Sequence, residues 1–232
     1  MSTNHRYILN KLFKKLLAHY GPRKWWPART RFEVIAGAIL VQNVSWRNAK
    51  TAIASLKKHK LLDPRAISSH SQKDIAPLII SSRFYNQKAR TLKNFCDHLI
   101  KRYSGSLSKM FSADTASLRK ELLAIKGIGR ETADSILLYA GNKPTFVSDA
   151  YTKRFLVRYG IRAGEPSYDE IRDFFMNNIK KDVYLYNEYH ALIVHHGHAT
   201  CKPTPDCQAC PINRIYEKTG CKFDKIHRRP KR

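Results

Sequence analysis

Acidic side chains are scarce in this 232-residue sequence: 18 Asp and Glu stand against 43 Lys and Arg, a formal charge of +25. So basic a chain is suited to a polyanion, and a nucleic acid is the expected partner. Long apolar runs are missing too, and no membrane span is expected. The N-terminal stretch lacks a signal-peptide core, because Lys11, Lys14 and Lys15 interrupt its apolar residues. The expected location is therefore the cytoplasm, in association with the nucleoid, or the nucleus. Cysteine is limited to five residues, four of them beyond residue 200, and without secretion a disulfide framework is not expected. No stretch reads as a good strand and no repeat of solenoid period is present, which makes the fold class all-α.

What is there is helical pattern. Residues 6 to 20 set Ile8, Leu9, Leu12, Phe13, Leu16 and Leu17 at helical spacing until Gly21-Pro22 ends the run. Phe32 to Val44 is apolar enough to be the central helix of a bundle, closing on Gln42-Asn43. Further helices are expected at about 46 to 59, 71 to 79 and 86 to 103, the last with Cys96 as an ordinary buried thiol. Trp25-Trp26-Pro27 reads as a turn carrying two indoles, suited to packing or to base stacking, whereas Phe84 and Tyr85 read as core. With 43% hydrophobic residues the chain can bury one core or two small ones.

The chain is organised around residues 122 to 154. Leu122, Leu123 and Ile125 lead into Lys126-Gly127-Ile128-Gly129-Arg130, and Glu131 to Tyr139 then reads as a helix. Two glycines let backbone approach a phosphate closely, and the free N–H groups of the following helix point at it. A tight turn between packed helices accounts for the same spacing. After a second turn at Gly141 to Pro144 comes Asp149 at the start of another helix, with Arg154 about one turn on.

At these residues the sequence resembles the helix-hairpin-helix DNA glycosylases of the endonuclease III superfamily. The stretches Trp25-Trp26-Pro27, Leu40-Val41-Gln42-Asn43, Phe84 to Ala89, Lys126 to Asp134 and Asp149-Ala150-Tyr151 are most similar to the 3-methyladenine DNA glycosylase III branch. The resemblance implies a two-lobed fold. Residues 23–145 would form a central helical domain with the hairpin, and 1–22 plus 146–232 a second lobe ending in a cysteine loop and a basic tail. It also implies Asp149 as the catalytic aspartate, Gln42 as the residue that fills the gap left by a flipped nucleotide, and Trp25, Trp26 and Tyr151 as pocket candidates. Lys126, Gly127, Gly129, Arg130, Thr132 and Arg154 would meet the DNA backbone. Bifunctional relatives carry a lysine nucleophile directly after the hairpin turn. This chain has Glu131 there, a second carboxylate beside the catalytic one or simply a residue that suits a helix first turn.

Cys201, Cys207, Cys210 and Cys221 follow, a set that can bind zinc or an iron–sulfur cluster. The resemblance favours a 4Fe–4S cluster, although the first gap is one residue shorter than the family pattern and the last five longer, which leaves Cys221 as the least regular ligand.

A purine alkylated at N3 already carries positive charge, so its glycosidic bond needs little acid catalysis. The enzyme would supply extrusion from the stack, an aromatic pocket for a cationic base and an anion near the developing oxocarbenium centre. The expected function is thus a monofunctional glycosylase, a monomer acting on double-stranded DNA containing a damaged base. Alternatives are a bifunctional glycosylase and abasic-site lyase using Lys126 or Lys153, a uracil or thymine mismatch glycosylase, and a non-catalytic damage-binding module.

Overall fold

The structure, a computed structural model, describes residues 5–213 together with Cys221. The basic tail residues Arg228, Arg229, Lys231 and Arg232 lie outside the described residues. The helices in chain order are α1 (His5–Tyr20), α2 (Arg31–Leu40), α3 (Trp46–Lys58), α4 (Pro64–Ser69), α5 (Gln72–Ile75), α6 (Tyr85–Tyr103), α7 (Leu107–Ser112), α8 (Thr115–Ala124), α9 (Arg130–Ser135), α10 (Ala150–Arg158), α11 (Tyr168–Asn178) and α12 (Val183–Ala199). A 3₁₀ segment covers Ala76–Ser82, and a π turn, Ile136–Ala140, extends α9. Among the described residues there is no strand, and no helix is long and apolar enough to cross a membrane. The chain divides into two compact units, Met1–Trp25 with Pro144–Arg232, and Trp26–Lys143.

In the Trp26–Lys143 unit α2 is the core helix, and every residue from Phe32 to Leu40 is buried. Thr30 starts it by accepting a hydrogen bond from the Glu33 amide, as an N-cap should. The helix does not run on to Val44. It stops at Leu40, Asn43 takes a left-handed φ of 54°, and Gln42 sits in the turn that leads to Ser45, the N-cap of α3. Residues 71 to 79 also differ from the expected single helix. They form four-residue α5 and then a 3₁₀ segment that opens at Ala76-Pro77, where the proline ring nitrogen has no hydrogen to continue the α-helical ladder.

Along α6 the buried stripe includes Ala89, Leu92, Phe95, Cys96 and Leu99, and burial pushes the Cys96 thiol well up. Between α8 and α9 the chain makes its hairpin. A bidentate pair braces it: Arg119 Nε and a terminal nitrogen donate to the two oxygens of the fully buried Asp134, each at 2.9 Å.

The other unit joins the N-terminal helix to the C-terminal ones. Leu9, Leu12 and Leu16 of α1 are fully buried, and the Tyr189 hydroxyl of α12 donates to the Leu9 carbonyl at 2.9 Å. Phe146 stacks on Phe175 of α11 with centroids 4.0 Å apart. This core holds the start of α10, where Asp149 lies.

Candidate functional site

The hairpin turn alternates in burial. Ile125 and Ile128 are buried and anchor it, while Lys126, Gly127, Gly129 and Arg130 are exposed. Asn94 of α6 donates to the Lys126 carbonyl at 3.0 Å, tying the turn to the unit's core. The two glycines differ in their reason for being there. Gly127 has φ 99°, and a Cβ on it would lie 2.0 Å from the Thr91 hydroxyl oxygen. Gly129 has ordinary φ and ψ, caps α9, and has nothing within 4 Å of where a Cβ would be. The fold requires the first glycine and leaves open space beside the second, next to the unbonded amides of a helix start.

Gly127→Ala should therefore cost about 1–3 kcal/mol of stability by overpacking and backbone strain. Gly129→Ala should change stability by no more than about 0.5 kcal/mol, yet weaken duplex binding, because its methyl occupies the open space. Thermal melts and DNA titrations of the two variants read the difference. Equal loss of stability would show that both glycines serve the fold alone.

Beside the hairpin a groove is lined by Gln42, Asn43, Phe84, Lys88, Lys126 and Gly127 among others. Gln42 Nε2 donates to the Thr132 hydroxyl at 2.6 Å. Thr132 itself is buried, so its side chain serves Gln42 rather than the exposed face expected to meet DNA backbone. Phe84 and Tyr85 are not core: Phe84 is 57% exposed, with a left-handed φ of 43°, and Tyr85 is 36% exposed. Their aromaticity suggested burial, but the turn that starts α6 points Phe84 outward. Lys88, one helical turn on, is buried, and burial lowers its pKa to about 8.

Trp26 packs edge-on to Trp46 at 5.1 Å and tilted against Tyr139 at 5.3 Å, with its ring over Gly37, where a Cβ would approach to 3.1 Å. It thus belongs to an aromatic cluster of the Trp26–Lys143 unit, and Trp46 joins it without having been singled out in the sequence. Trp25, partly buried, falls in the other unit.

In that unit Asp149 is the N-cap of α10. Its Oδ1 accepts from the Thr152 amide at 2.8 Å and the Thr152 hydroxyl at 2.9 Å, and its Oδ2 lies 3.4 Å from His190 Nε2 on α12. The carboxylate is 13% exposed. Burial alone would raise its pKa, but the charge and hydrogen bonding of His190 and the bonds from Thr152 outweigh that and hold it below the ordinary aspartate value. A depressed carboxyl contributes stability that is present above the ordinary value and lost as pH falls through the folded one. At neutral pH Asp149 is an anion with one oxygen fixed by the helix start and the other facing His190. No sequence signal announced His190, since it reaches Asp149 only through the packing of α12 on α10.

Tyr151 lies against α12, 4.6 Å from His198, and a Cβ on Gly197 would come within 2.4 Å of its ring. Arg154 sits 4.9 Å from the Tyr151 ring and donates to the carbonyls of Cys201 at 2.9 Å and Gly197 at 3.0 Å. Its guanidinium holds the end of α12, a different task from the phosphate contact expected of it. Arg158 continues the strut, donating to the carbonyls of Lys202 and Pro203. Cys201, Cys207, Cys210 and Cys221 all line one cavity with Phe155, Tyr159 and His196. Burial pushes the Cys210 thiol up to about 12 and His196 down to about 4.

A family profile described as HhH-GPD superfamily base excision DNA repair protein matches residues 36–181. This chain belongs to that family. As an HhH-GPD protein it is an enzyme acting on N-glycosyl bonds in DNA repair. The HhH-GPD match runs from within α2 to beyond α11, so the hairpin and Asp149 lie inside it and the cysteine loop beyond its end. A protein of Methanocaldococcus jannaschii assigned as a DNA repair glycosylase is 45% identical, over 93% of this chain and 98% of that one. Endonuclease III of Sulfolobus acidocaldarius is 30% identical over 79% of this chain and 80% of its own length. Among solved structures, the H. pylori 3-methyladenine DNA glycosylase bound to 1,N6-ethenoadenine is similar with a TM-score of 0.73 and 29% identity, covering 84% of this chain and 98% of that one.

Proposed function

We propose that this HhH-GPD chain is a monofunctional glycosylase that flips a damaged base, best an alkylated purine such as 3-methyladenine, out of double-stranded DNA and hydrolyses its glycosidic bond with Asp149. The observation that carries the reading is the mostly buried carboxylate of Asp149, with one oxygen fixed by Thr152 and the other facing His190. A buried anion stabilises an oxocarbenium-like centre in proportion to how little it must reorganise, and Oδ2, the oxygen that faces His190, can orient the attacking water. Similarity to an enzyme named for 3-methyladenine supports the substrate class. The aromatic rings of Trp26, Trp46 and Tyr139, clustered within the Trp26–Lys143 unit, suit a cationic base. Gln42 and the exposed Phe84 serve as probes that enter the stack, while Lys126, Gly127, Gly129 and Arg130 grip phosphate.

Glu131 supports hydrolysis over lyase chemistry, because a carboxylate forms no imine. The alternative amines are poorly suited to the task. Lys126 is exposed on the hairpin and Lys153 forms an ion pair with Glu165. An excision panel of duplexes carrying 3-methyladenine, hypoxanthine, uracil or thymine glycol tests the substrate class. Release of the alkylated purine is expected. Preferential release of thymine glycol would overturn it.

The cysteine cavity suits a 4Fe–4S cluster. Four thiols line one cavity, a donor set that suits such a cluster and can also bind zinc. The cluster, when bound, would pin the loop structurally. Arg154 and Arg158 hold the loop's first turn from α10. Protein purified without oxygen should be brown and contain about four irons per chain. One zinc with no visible absorbance would reject the cluster.

A further inference from the structure

The ammonium of Lys88 joins two loops. It donates to the carbonyls of Leu40 and Gln42, both at 2.8 Å, and to that of Ser82. The first two belong to the turn that carries Gln42, and the third immediately precedes Arg83 and Phe84. An ammonium has three N–H donors, and three carbonyls take them all, so the charge has no donor left for a phosphate although the side chain lines the groove. Around it the backbone is strained: Asn43, Arg83 and Phe84 hold φ values of 54°, 52° and 43°, a region that non-glycine residues adopt at a cost and keep only where the surroundings enforce it. The cation also sits where α2 ends, against carbonyls that the helix itself leaves unbonded.

We infer that Lys88 is a positioning residue that sets the separation of Gln42 and Phe84, so that the two side chains enter duplex DNA as one rigid unit. The inference rests on the proposed role of that pair as stack-entering probes. It assigns the lysine neither chemistry nor phosphate binding, and that separates it from exposed Arg90 and Lys126 in the same groove. Loss of the pin would let the two loops relax toward ordinary backbone angles and move independently.

The test uses a duplex with 2-aminopurine opposite a tetrahydrofuran abasic-site analogue, whose fluorescence rises when the base is unstacked by bound protein. Lys88→Met should cut the rise at saturating protein by at least about half and, on a cleavable substrate, slow base release by roughly ten- to a hundredfold, as small misplacements do. The dependence of affinity on salt should stay as in the unaltered protein, since no phosphate contact is lost. In a Gln42→Ala, Phe84→Ala background the same substitution should cost less than about twofold more, because it acts through those residues. If Lys88→Met does not fold, Lys88→Gln, which keeps an amide donor, is measured in its place, with the same coupling expected. An equal loss in both backgrounds, or a shallower salt dependence, would overturn the inference while leaving the probes intact. A Gln42→Ala, Phe84→Ala protein that gives the full fluorescence rise would instead remove the probe reading, and this inference with it.

Discussion

Asp149→Asn should lower the single-turnover rate of base release by about 10²- to 10³-fold, the range for removing one fixed electrostatic partner of a transition state. The substitution separates chemistry from folding unusually well at this position. Thr152 donates its amide and hydroxyl to a single oxygen, and the asparagine carbonyl can accept both bonds, so the N-cap of α10 survives. What changes is the other oxygen, which faces His190, and the charge. Binding to a lesion-bearing duplex should stay within about threefold, and the melting temperature should fall by no more than a few degrees, because the cap bonds survive and only the anion's contribution is lost. The pH response should change too. The variant should lose the acid sensitivity that a depressed carboxyl confers below the ordinary aspartate range. Activity retained within about tenfold would show that Asp149 is a helix cap and no more.

An all-or-none result is expected from borohydride trapping. In the unaltered protein, incubation with an abasic or lesion-bearing duplex should leave no covalent adduct, since reduction fixes only an imine and the position after the hairpin is a carboxylate. Glu131 is exposed in the first turn of α9, where its charge suits the helix start and where a longer basic side chain can be accommodated. Glu131→Lys should then create at least weak trapping. A strong adduct in the unaltered protein, lost on changing Lys126 or Lys153, would install the lyase reading instead.

The parts of the protein legible in its sequence are those set by local rules. Helical periodicity located α1, α3 and α6 because each buries one stripe, and the alternation of isoleucine and glycine in the hairpin marks which residues anchor and which stay open. Where a helix stops involves a distant partner: α2 ends at Leu40, whose carbonyl accepts from Lys88, far along the chain. The same holds for the site. Asp149 was visible as a cap and as a motif, but His190 reaches it through helix packing. Phe84 is exposed where burial was expected, and Arg154 carries carbonyl contacts that its motif does not announce. An aromatic at a strained turn can be exposed, and an arginine near a site can be spent on carbonyls.

The central claim, base release by hydrolysis without strand scission, is tested most directly on one end-labelled duplex carrying an alkylated purine. After reaction the sample is divided, and half is heated with alkali. Free base in solution, with strand breaks only in the alkali-treated half, is the expected result. Strand breaks that appear without alkali, in step with base release, would contradict it.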